Sequence, residues 1–160
     1  MCIRDSPSST AVNNSRLVGR YGRNPSQQYD VLMYDIHQPI DAGALVTNNK
    51  KFYLDIYSTA PVGTPILLQL ENDATAGATN YPTGRHSRYQ GITTRQNTWE
   101  RIAFDYLDRP DRNVAHARVD NIVVLFAPNS HTNPTYYFDN FEIDCVNTVS
   151  YTHLTLPTKA

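Results

Sequence analysis

The sequence predicts an all-β domain, an antiparallel β-sandwich of the jelly-roll kind. Three observations carry that expectation. Apolar and polar residues alternate in short runs, so successive side chains fall on opposite faces of a strand. Clusters of Pro, Gly, Asn and Asp punctuate those runs at regular spacing. No segment keeps a helical apolar period over helical length. At 160 residues the chain has the size of one domain with a core of its own.

The stretch Lys51–Asn72, KFYLDIYSTAPVGTPILLQLEN, is the clearest case. Phe52, Leu54 and Ile56 alternate with Tyr53, Asp55 and Tyr57; after a break at Pro61 and Gly63, Ile66, Leu68 and Leu70 alternate with Leu67, Gln69 and Glu71. Two antiparallel strands joined by a polar loop is the natural reading, with Tyr53, Asp55, Tyr57, Gln69 and Glu71 forming one polar and aromatic shelf. Such a hairpin cannot bury its apolar face alone, so the rest of the chain must add strands and a second layer.

Before it, Leu17–Tyr21 is a short apolar patch, and YDVLMYDI at Tyr29–Ile36 reads as a strand buried on both faces or an edge of the core. Pro39–Ala44 is a connection with a tight bend. After it, Asn72–Gly84 is a long Asn-, Thr- and Gly-rich loop of the sort that often carries ligand contacts. His86–Thr94 and Thr98–Tyr106 follow as strands. DNIVVLFA at Asp120–Ala127 is apolar on both faces and reads as a central strand, and YYFDNFEI at Tyr136–Ile143 closes the domain with Tyr137, Phe141 and Ile143 inward.

The two ends resemble translated sequencing-adaptor DNA: MCIRDS at the start and VSYTHLTLPTKA at the finish. Residues 1–10 and 147–160 are therefore expected to be foreign or disordered, leaving 11–146 as the domain, and residues 1–9 and 152–160 are expected to pack on nothing. On that reading Cys2 is not native, and a disulfide to Cys145, otherwise open in principle, disappears. The beginning of the chain then carries no information about secretion.

A formal net charge of −1 argues against a nucleic-acid binder that works by neutralising phosphates. No run approaches the ~20 apolar residues of a membrane span. Eleven tyrosines supply stacking faces with polar tips, which suits a wet amphipathic surface as well as it suits strands.

Catalytic constellations are hard to find. Retaining glycosidases need two carboxylates across one cleft, yet Glu71, Glu100 and Glu142 have no second Glu two residues away. His86, Arg88 and Tyr89 contain the residue types of a β-sandwich polysaccharide lyase, but neighbours on one strand point to opposite faces. The histidines show no zinc spacing. Sugar binding fits the shelf better, because pyranose rings stack on aromatic faces while their hydroxyls take directional bonds from Asn, Gln, Glu and Arg. Tyr57, Gln69, Glu71 and Arg88 are the candidate ligand-binding residues. Trp99, out of step with Ile102 and Phe104, joins them unless a bulge turns it inward.

The order of five motifs is similar to that of the galactose-binding-like jelly-roll modules appended to bacterial glycoside hydrolases and polysaccharide lyases. These are NNSRLVGRYGRNPSQQYDVLMYD, KFYLDIYSTAPVGTPILLQLEN, NTWERIAFDY, VDNIVVLFAPN and YYFDNFEI, and the resemblance covers Ala11 to about Asp144. The resemblance implies a non-catalytic carbohydrate-binding module of a larger secreted or surface polysaccharide-degrading protein, tethered to a catalytic domain, with a polysaccharide or oligosaccharide as partner and neither nucleic acid nor membrane insertion. It also implies a structural calcium held by Asp139, with Asn14 of the amino-terminal loop as a further ligand beside Asn13 and Ser15. A carboxylate aimed at a core needs a cation or several N–H donors, and bonding to backbone amides alone would satisfy Asp139 equally well. An adhesion module without a sugar site and a lyase are the alternatives.

Overall fold

The computed structural model describes residues 2–143. They form nine strands and one short helix: β1 (Cys2–Asp5), β2 (Leu17–Gly22), β3 (Leu32–Ile40), α1 (Ala42–Thr47), β4 (Phe52–Ser58), β5 (Pro65–Glu71), β6 (Arg85–Ile92), β7 (Trp99–Asp108), β8 (Val119–Phe126) and β9 (Thr135–Ile143). A single 3-10 turn, His116–Arg118, precedes β8. All pairings are antiparallel and the strand order is β1-β2-β9-β4-β7-β6-β5-β8-β3. Among the described residues no helix is long and apolar enough to cross a membrane.

Two layers arise because β7 belongs to both. Its first half, Trp99 to Phe104, pairs with β4, and its second half, from Asp105 on, pairs with β6. Gly91 sits at the crossing. A Cβ there would lie 2.4 Å from Ile102 Cγ2, so no larger residue lets the strands approach this closely. One layer is β1-β2-β9-β4 with the start of β7; the other is β6-β5-β8-β3 with its end.

The core is the set of alternate residues that the two layers turn toward each other. Phe52, Leu54, Ile56, Phe104, Tyr136 and Phe138 face Ile66, Leu68, Leu70, Tyr89, Val124 and Phe126. Phe126 stacks on Tyr136 at 4.3 Å between ring centroids, and Phe52 meets Tyr89 edge-on at 4.7 Å, so the layers are keyed by aromatic pairs. This is the all-β antiparallel sandwich expected from the sequence.

The pairing inside it differs from expectation. Strands β4 and β5 do not form a hairpin: β4 pairs with β7 and β9, β5 with β6 and β8, and residues 59–64 carry the chain from one layer to the other. Alternation fixes which side of a strand is apolar and says nothing about its neighbour. Two strands that face one core from opposite layers read the same as a hairpin.

Three further points differ. Helix α1 occupies part of the expected bend, started by Asp41, whose carboxylate accepts from Gly43 N at 3.0 Å and Ala44 N at 3.3 Å; six residues are too few to show a period. In β9 the inward residues are Tyr136 and Phe138, with Tyr137 outward. The parity changes at Asn140, whose φ of 52° accompanies a register slip against β4, so that Phe141 and Ile143 again meet the core. Finally, Cys2–Asp5 pairs with β2, so the leader does not stay apart from the domain as expected. Cys145 and the tail from 147 lie outside the described residues.

One buried cation ties the loops together. Arg23, 3 % exposed, donates through Nε to Phe126 O at 2.9 Å. Its terminal nitrogens donate to the carbonyls of Thr132 (2.8 Å), Ser130 (2.6 Å), Gln28 (2.9 Å), Gln27 (3.0 Å) and Asn24 (3.4 Å). The planar fork of a guanidinium is suited to so many acceptors at once. It pins the loop before β3 to the loop after β8.

Candidate functional site

The sandwich has two outer faces, and the expected shelf is divided between them. Tyr53, Asp55 and Tyr57 lie outside the first layer, with Trp99 paired to Tyr57. Gln69, Glu71 and Arg88 lie outside the second, where Gln69 pairs with both Arg88 and Val123. Of the five ligand-binding candidates, the fold brings together Gln69, Glu71 and Arg88, and places Tyr57 and Trp99 on the far side.

The second-layer face is a strip across five strands. One row runs Met33, Val123, Gln69, Arg88, Asp108, and the next runs Leu125, Leu67, Gln90. Arg88 is held by Asp108, with Nε 2.7 Å from Oδ1 and a second bond from its terminal nitrogen. Bidentate pairing fixes the plane of the guanidinium. Over it sits Tyr81, 57 % exposed, its ring centroid 5.9 Å from the guanidinium carbon. Met33 at the opposite edge is 51 % exposed.

Tyr81 is delivered by the loop between β5 and β6, which Arg85 shapes from beneath. Its guanidinium donates to Asn80 Oδ1 at 2.6 Å, Thr83 O at 2.6 Å and Gly77 O at 2.7 Å. The sequence marks this loop as a ligand candidate; Tyr81, Arg85 and Asn121 were not legible as part of it, because their placement depends on the loop folding back over β6 and β8. At the foot of the loop, Gln69 donates to the Glu71 carboxylate, and Arg85 Nε lies 3.4 Å from it. Both acceptor and donor are buried, and burial pushes the Glu71 carboxyl above its ordinary value, against the pull of Gln69 and Arg85.

The first-layer face is covered at Trp99 and Asp55. Trp99 is 1 % exposed although it points outward, because its Nε1 donates to Ser8 O at 2.9 Å and the leader lies across it. Asp55, fully buried in mid-strand, accepts from Asn140 Nδ2 at 2.7 Å, Arg101 at 3.2 Å and Asn13 Nδ2 at 3.5 Å. Asp139 also faces outward rather than into the core, and accepts from Asn13 Nδ2 at 3.1 Å.

This arrangement does not fit calcium. Asn13, not Asn14, is the side chain that reaches Asp139, and Asn14 is exposed. The Asn13 amide oxygen is taken by Ser15 N at 2.9 Å, and Arg101 already supplies a positive charge at Asp55. Two carboxylates met by amide N–H groups and a guanidinium lack the oxygen donors that a calcium shell needs. Among the described residues no group of three His, Cys, Asp or Glu could hold a metal ion.

The lyase residue types are also separated. His86 and Tyr89 are fully buried, while Arg88 faces out. His86 Nε2 lies 2.9 Å from His116 Nδ1, and burial, with Arg109 and His116 nearby, lowers its pKa from 6.5 to about 4. A depressed histidine stabilises the fold fully above pH 6.5 and loses that contribution as the pH falls toward 4. Urea titrations from pH 7 to 4 should therefore show a loss of about 2–3 kcal/mol that is absent in His86→Leu.

No protein-family model matches the chain, and no curated protein matches it by sequence. Solved structures do. A family 30 carbohydrate-binding module superposes with a TM-score of 0.60 at 11% identity, covering 89% of this chain and 82% of that one. Another family 30 module gives 0.56 at 12% identity over 95% and 80%. At such identity the likeness concerns the fold alone. This chain shares the β-sandwich fold of these two modules.

Proposed function

We propose that the chain binds a glycan on the outer face of its second layer, without catalysing a reaction on it. The observation that carries this reading is Tyr81, an exposed ring fixed over the Arg88–Asp108 pair, with Gln69 opposite Arg88 on the neighbouring strand and Gln90 two residues along the same one. A pyranose ring stacks on such an aromatic face, and the adjacent guanidinium, carboxylate and amides take its hydroxyls. The carbohydrate-binding modules that share the fold support the same class of ligand. The separation of Arg88 from His86 and Tyr89 speaks against lyase chemistry. A secreted or cell-surface setting beside a polysaccharide-degrading domain is the context in which such a module is useful.

Affinity electrophoresis against a panel of polysaccharides tests this. Tyr81→Ala and Arg88→Ala should each weaken binding by about tenfold, equivalent to ~1.4 kcal/mol. Tyr57→Ala, on the opposite face, should leave it unchanged. Binding to no glycan would favour an adhesion module, and release of unsaturated product would establish a lyase.

A further inference from the structure

At the foot of the Tyr81 loop two buried polar atoms make no hydrogen bond: Arg85 Nε, which lies 3.4 Å from the Glu71 carboxylate, and Asn121 Oδ1. Asn121 is 3 % exposed, and its Oδ1 meets no donor. Rotating the amide does not relieve this. Asn121 Nδ2 donates to Asp73 Oδ1 at 3.0 Å, so the reversed amide would set its oxygen against a carboxylate. Asp73 is itself held by its backbone, N to Asp120 Oδ1 at 2.8 Å. The carbonyl of Asn121 is thus fixed where it is, and a buried acceptor without a donor is destabilising.

The residue directly across the strand pair, on the same face, is Glu71. Side chains opposite each other on antiparallel strands are in reach. Two acceptors placed together in a dry site become compatible when one of them holds a proton. The surrounding charges are mixed. Arg85 from β6 and Asp73 from the loop act on Glu71 directly; further out, Asp120 of β8 accepts from Asp73 N, Asp35 of β3, bound to His37, stands opposite Asn121, and Arg88 is neutralised by Asp108.

We propose that Glu71 and Asn121 share a proton. In acid the Glu71 carboxyl keeps its hydrogen and donates it to Asn121 Oδ1; in neutral solution it releases that proton to water and holds Gln69 as a carboxylate. Gln69 stands opposite Arg88, the residue beneath Tyr81, so the exchange sets the strength of glycan binding, an inference that rests on the function proposed above. The raised titration of Glu71 is in keeping with it.

The decisive measurement needs no ligand. The Glu71 carboxyl carbon is followed by NMR from pH 7.5 to 3 in the wild type and in Asn121→Leu. Loss of the acceptor should lower the Glu71 titration midpoint, because the protonated form loses its partner. An unchanged or higher midpoint would mean that Asn121 is a bystander and would overturn the proposal.

Thermal denaturation at pH 7 gives an independent check. Glu71→Gln, whose amide can donate to Asn121, should melt at or above the wild type, and Glu71→Leu well below it. Equal damage by both substitutions would refute proton sharing. Glycan affinity of the wild type should fall as the pH drops through the Glu71 titration, and that of Glu71→Gln should stay flat. If no glycan binds at any pH, the proposed function fails while the carboxyl titration still decides the proton question.

Discussion

Replacing Arg23 by alanine should lower the stability of the domain by at least about 3 kcal/mol, read as a shift of the urea midpoint with an unchanged slope. Its guanidinium satisfies six main-chain carbonyls drawn from residues 24–28 and 126–132. Alanine leaves the buried Phe126 carbonyl without its side-chain donor and unties the five loop carbonyls that the guanidinium gathers. For a domain of this length the corresponding fall in melting temperature is about 10 °C. Arg23→Lys should recover only part of the loss, because an ammonium reaches fewer of these acceptors and cannot reproduce the fork. Full recovery by lysine would mean that charge alone matters here and that the geometry of the donors does not.

Removal of residues 1–16 should have the second largest effect, about 3 kcal/mol or more. Asn13 donates to both Asp55 and Asp139, and without it a wholly buried carboxylate loses part of its shell. Ser8 supplies the acceptor for Trp99 Nε1, and β1 extends the sheet beyond β2. Because Trp99 is the single tryptophan of the chain, its emission reports the event directly. The truncated form should emit at longer wavelength than the intact one. An emission spectrum that does not move would show that the leader is dispensable for covering this face. Removing only residues 1–6 keeps Ser8 and Asn13 and should cost less.

The leader also shows where reading the sequence stops short. MCIRDS has the wording of an adaptor-derived peptide, and wording carries no information about whether a backbone will pair with β2. The strands and their apolar sides were legible because alternation is a local property, visible in FYLDIY and in PILLQLE alike. Their partners were not, since β4 and β5 face one core from different layers and a linear pattern cannot tell that from a hairpin. Gln69, Glu71 and Arg88 were recognised together because they share strand parity and do end on one face. Tyr57 and Trp99 were assigned to the same shelf only through the supposed hairpin. For Asp139 a single extra residue at Asn140 reversed the inward and outward sides, and no local signal marks such a slip. Asn121 and Tyr81 acquire their roles from a long-range fold of the loop, and composition alone does not specify it.

Strand β7 gives the two layers a common backbone. One layer therefore cannot slide along or peel away from the other without rupturing hydrogen bonds on both sides of Ala103 and Phe104. Mechanical load entering through either face spreads to the opposite one, and the domain yields as a whole instead of shedding sheets in turn. Under such load the shared strand serves as the keel of the domain.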